Sequence, residues 1–107
     1  MLTTRGFRVR WLLEQHFDDH NQDFGAVDEE AYEVLADAFL GGALGSTVIE
    51  CQRAQFDQAR VRYDYMSQEF GVLDINNYIL TYFKPEPAEH GHPTNRAYFE
   101  WQKRRRS

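Results

Sequence analysis

The chain has 107 residues and 12.7 kDa; at 42% hydrophobic and 27% charged it has the composition of one globular domain, not of a disordered segment. No run approaches the roughly 18 apolar residues of a membrane span, the first residues lack a signal-peptide core, and a single cysteine, Cys51, excludes an internal disulfide and a Cys-based zinc site. The net charge of −5 divides into −6 over residues 1–46, −1 over 47–84 and +2 over 85–107, which argues against a nonspecific nucleic-acid coat but leaves room for an enzyme with a local basic site.

Residues 7–24 read as a helix. No Gly or Pro interrupts them, Trp11, Leu12 and Phe17 fall near one face, and Gly25 suits a left-handed stop. A second helix starts at Asp28, a good N-cap, with Glu29 and Glu30 in the positive first turn. Its apolar stripe is Tyr32, Leu35, Ala36 and Phe39, and Gly41-Gly42 ends it. Strands are then expected near residues 47–53, 59–64, 69–73 and 77–84. Arg60 to Asp64 alternates charged and apolar side chains, and Asp74-Ile75-Asn76-Asn77 has a turn composition. Pro85 and Pro87 stop the last strand, and 86–93 reads as a loop. Thr94 or Asn95 caps a final short helix carrying Ala97, Tyr98 and Trp101. The expected fold is α+β: N-terminal helices, a four-stranded antiparallel sheet in meander order, and a short C-terminal helix.

Several groups offer chemistry. His16 and His20 are four apart and share a helix face. They lack the third ligand and the His-Glu-x-x-His glutamate of a zinc site, so no metal is expected there. An imidazole titrating near pH 6.5 suits general acid–base work; the plainer alternative is a pair of exposed polar residues. Asp18, Asp19 and Asp23 lack the loop spacing of a calcium site. Arg60 and Arg62 share a strand face and with Lys84 are candidates for a phosphate clamp; edge-protecting charges are the alternative. Thr81 gains interest only if it faces the histidines. His90-Gly91-His92 reads as a flexible connection, and Cys51 as a buried strand residue. The run Lys103 to Arg106 suits a helix C-terminus as well as a phosphate contact.

The segments His16-Phe17-Asp18-Asp19-His20-Asn21-Gln22-Asp23-Phe24-Gly25, Ala31-Tyr32, Phe39-Leu40-Gly41-Gly42 and Glu50-Cys51-Gln52-Arg53 follow one another in an order that looks familiar. So do Arg62-Tyr63-Asp64, Glu69-Phe70-Gly71-Val72, Ile79 to Pro85, and Thr94 to Phe99. Together, from His16 to Phe99, they resemble the small nuclease domains of the barnase–EndoU–colicin–RelE-like superfamily. Such domains recur at the C-termini of bacterial polymorphic and contact-dependent toxins and in prophages. The resemblance implies a metal-independent, cofactor-free RNA endonuclease, often tRNA-directed, acting in the bacterial cytoplasm after delivery within a larger toxin. It also implies an immunity protein as partner. By the same resemblance His20 or His16 works with Arg53, Thr81 and Lys84, while Asn95 and Tyr98 close the cleft. The competing expectation is a non-enzymatic interaction module of the same fold.

Overall fold

The computed structural model describes residues 2–106. In chain order it contains α1 (Arg10–His20), a 3-10 turn (Asn21–Asp23), α2 (Glu29–Gly41), β1 (Val48–Gln52), β2 (Arg60–Asp64), β3 (Phe70–Leu73), β4 (Ile79–Phe83), α3 (Pro87–His90) and α4 (Asn95–Arg104). The expected α+β order holds. The first helix is shorter at both ends than the sequence suggests, and the 86–93 loop contains the single turn α3.

Capping chemistry explains the helix limits. Asp28 accepts from the Ala31 N–H at 2.8 Å, and Thr94, not Asn95, accepts from the Ala97 N–H at 3.0 Å. Gly25 takes φ +67, the left-handed conformation expected of it. The apolar face of α1 differs from expectation. Leu13 is its buried residue, while Trp11 is 64% exposed. In α2 the stripe is Tyr32, Ala36 and Leu40, and Leu35 lies outside it.

The sheet is antiparallel in the order β1-β2-β3-β4. Val61 pairs with Cys51 and Val72, and Phe70 with Tyr63 and Phe83. A register shift between Val72 and Leu73 leaves Leu80 as an extra residue on β4. Ile79 and Tyr82 consequently share one face, and Thr81 and Phe83 the other. Two apolar layers follow. Ile79, Tyr82 and Leu73 pack with Phe7, Leu13, Tyr32, Ala36 and Leu40 under α1 and α2. Val61, Tyr63, Phe70 and Val72 pack with Phe99 of α4 on the opposite face. Gly71 admits the close approach of Leu40, since a Cβ there would lie 2.9 Å from its side chain.

The segment before α1 is fastened by Asp37 of α2. Its carboxylate accepts from the backbone N–H and the hydroxyl of both Thr3 and Thr4, at 2.5–3.0 Å. Burial raises a carboxyl pKa, but these hydrogen bonds favour the ion and hold Asp37 below the ordinary value. A carboxyl depressed by folding adds stability that is fully present above the unfolded pKa of about 3.9 and is lost as pH falls through the folded pKa. Asp37→Asn is therefore expected to be less stable than wild type near neutral pH. The gap should narrow toward about pH 2 in urea titrations.

Candidate functional site

Leu13 fixes the rotation of α1, and the residues three, four and seven positions later turn inward with it. These are His16, Phe17 and His20. The His16 ring lies 5.2 Å from Phe7 and 5.6 Å from His20, and the His20 ring stacks on Phe83 at 5.0 Å and 24°. Both histidines are half-buried. Burial, reinforced by the neighbouring His20 and opposed by Asp19, lowers the His16 pKa, and its Nδ1 is buried without a hydrogen-bond partner. Burial also lowers the His20 pKa, against the opposing charges of Asp19, Asp23 and Glu89. Both imidazoles are thus neutral near pH 7, the form that accepts a proton.

The turn after α1 carries His20 to the rim of β4. Asn21 clips it, with its side chain bonded to both the N–H and the C=O of Ala26 at 2.8 Å. Phe24 then stacks on Tyr82 at 4.3 Å, and Asp23 accepts from the Lys84 N–H at 3.1 Å. The Lys84 ammonium rests 5.6 Å from the Phe24 ring centre. Asp23 thus ties the Lys84 backbone to the turn after α1, and its charge favours the His20 imidazolium. Half-exposed Thr81 lies two residues from Phe83 on the same face, about 7 Å along the strand.

The arginines do not join them. Arg53 is 4% exposed; it grips Asp57 through Nε and Nη2 at 3.1 and 2.7 Å and donates to Gln102 at 3.0 Å. Arg62 is 6% exposed and donates to Glu50 at 2.6 Å and to the Phe39 and Gly42 carbonyls at 2.8 and 2.7 Å, closing the C-terminus of α2. Arg60 is exposed but sits in the row Arg60–Leu73–Ile79, whereas Lys84 follows the row Tyr63–Phe70–Phe83. Two strand spacings and four residues of rise put them on the order of 15 Å apart. A clamp of Arg60, Arg62 and Lys84 does not form, because the register separates its ends and ion pairing consumes its middle.

On the α4 face, Tyr98 stands 6.4 Å from Phe83 and accepts from Gln102. His90 stacks on Tyr98 at 4.4 Å, a placement the sequence reading missed by treating the loop as flexible. The His92 N–H donates to His90 Nδ1 at 3.0 Å, which leaves the ring proton on Nε2, 2.9 Å from Asn95 Oδ1. Asn95 in turn donates to Gln68 Oε1 at 2.7 Å, which also accepts from Tyr63. The His-Gly-His motif was visible; its partners are brought in by α4 and the β2–β3 turn, which local spacing does not show. Cys51 is half-buried, and burial pushes its thiol pKa up. Among the described residues no three His, Cys, Asp or Glu gather as a metal-holding group, and no helix is long and apolar enough to cross a membrane.

The fold is α+β, with the His20 ring stacked on Phe83 at the end of β4 and the Lys84 ammonium over Phe24 of the neighbouring turn. No family model matches the chain, and no curated protein matches it. Among solved structures the chain is similar to a ribonuclease from Escherichia coli complexed with its inhibitor protein. The TM-score is 0.52 at 17% identity, covering 82% of this chain and 95% of that one. At that identity the likeness is one of fold.

Proposed function

We propose that the chain is an RNA endonuclease in which the RNA's own 2′-OH attacks the adjacent phosphate. His20 takes the 2′-OH proton, O2′ bonds to phosphorus, and the P–O5′ bond breaks with a proton passing to O5′. The products are a 2′,3′-cyclic phosphate and a 5′-OH. Lys84 supplies charge to the phosphorane and a proton for the leaving oxygen, and the Thr81 hydroxyl donates to a phosphate oxygen. His16 lies behind His20 with its ring tilted to it at 5.6 Å, and the repulsion between two imidazolium ions opposes the pair's charging together. Tyr98 and Asn95 border the substrate's path. Every step uses a protein group, so the chemistry asks for no metal. Arg53, Arg60 and Arg62 have no part in it.

The observation that carries this reading is His20, a base kept neutral by burial and stacked on Phe83 beside the Lys84 turn. The fold shared with a ribonuclease supports it. The finer proposal follows the family resemblance: an antibacterial toxin domain directed at tRNA, delivered within a larger protein and held inactive by an immunity protein. The inhibitor bound to the Escherichia coli ribonuclease supports a partner of that kind. Incubation with total RNA in EDTA tests the chemistry. Discrete fragments ending in 2′,3′-cyclic phosphate are expected, tRNA-derived if the finer proposal holds. Intact RNA from a folded protein would leave the interaction module as the better reading.

A further inference from the structure

The basic end of this acidic chain carries an exposed aromatic surface that the cleavage chemistry does not use. Trp101 of α4 is 43% exposed and Phe56 of the β1–β2 connection 44%. The Arg105 guanidinium lies over both rings, 5.2 Å from Trp101 and 5.1 Å from Phe56. Arg53 lies over Phe56 at 5.1 Å, and His92 stands 5.3 Å from Trp101. Lys103, Arg104 and Arg106 are exposed alongside. Glu100 is already engaged by Arg96 and Lys103, and Asp57 by Arg53. Arg53, Lys103, Arg104, Arg105 and Arg106 thus stand against the two carboxylates Asp57 and Glu100 among the described residues here, and positive charge is in excess.

This surface is continuous with the candidate site. Trp101 to Tyr98 is 6.0 Å, Tyr98 to Phe83 is 6.4 Å, and Phe83 to His20 is 5.0 Å, ring centre to ring centre. Rings interleaved with guanidinium groups match a single strand, whose unpaired bases stack and whose phosphates seek cations. A duplex hides those base faces.

We infer that the Trp101–Arg105–Phe56 surface is a stacking platform that holds unpaired bases of an RNA single strand a few nucleotides from the phosphate at His20. The inference rests on the nuclease reading and adds where the substrate is held. Trp11→Phe, at a position 64% exposed, leaves Trp101 as the sole tryptophan. Its emission is expected to be quenched as a 2′-O-methylated single strand, which cannot be cleaved, is titrated in. Trp101→Ala and Phe56→Ala should each weaken binding of that strand roughly 5- to 100-fold, while Trp101→Tyr largely restores it. Arg60→Ala, at an exposed position outside both surfaces, should bind as wild type does. If wild type cleaves RNA but Trp101 emission and the affinities of both variants are unchanged, the platform is wrong and the nuclease stands. If wild type neither binds nor cleaves RNA, both readings fall.

Discussion

His20→Gln is expected to slow RNA cleavage by roughly 10²–10⁴-fold, the usual contribution of a positioned general base. Glutamine keeps much of the ring's contact with Phe83, so thermal stability should change by less than about 1 kcal/mol. The pH profile is the sharper test. A base works deprotonated, so activity should rise with pH through the His20 pKa and level off above it. Burial sets that pKa below its ordinary value, so the acid limb should lie below about pH 6.5. Among the charges opposing burial Asp19 is the largest. Asp19→Asn removes a charge that favours the imidazolium, and the limb should move to lower pH with the plateau kept. Asp19 is exposed and touches no reacting atom, so a purely structural role would not shift the limb. A limb unmoved by Asp19→Asn, together with wild-type rates for His20→Gln, would remove His20 from the mechanism.

The strands were legible because each is short, β-branched or alternating, and bounded by turn residues, so composition alone separates them from the helices. Helix limits were legible where a side-chain cap does the work, at Asp28 and Thr94, whereas Gly25 takes its left-handed conformation five residues after α1 has ended at His20. Three features were hidden, each because it depends on residues remote in sequence. The bulge at Leu80 puts Ile79 in the helix layer with Tyr82 and not on the face of Thr81 and Phe83, and only pairing with β3 creates it. The inward face of α1 is set by Leu13 meeting the sheet, so Trp11, the larger residue, was the wrong guide. The strand arginines look alike from the sequence: Arg60 and Arg62 do share a face. Which of them meets solvent is decided by α2, whose last carbonyls reach Arg62 and not Arg60. Alternation gives the face of a side chain but not its partner.

That difference yields the second large effect. Arg62→Met is expected to destabilise the fold by about 3 kcal/mol, near the lower end for breaking a buried ion pair because Glu50 keeps some contact with water. The loss has two sources. Glu50 is left charged beside a methionine, and the Phe39 and Gly42 carbonyls lose the cation that closed the helix end. For a chain of this length the melting temperature should fall by more than about 10 °C. Arg60→Ala, two residues away on the same face but exposed, should change stability by no more than about 0.5 kcal/mol. Removing the stranded charge as well, in the double variant Arg62→Met with Glu50→Gln, should recover part of the loss, the two sites coupling by about 0.5–3 kcal/mol. A phosphate-binding Arg62 predicts the opposite pattern. Stability would be nearly unchanged, RNA affinity would fall, and the second substitution would rescue nothing. Denaturation of the four proteins, read beside their RNA affinities, decides whether this guanidinium closes a helix or holds a substrate.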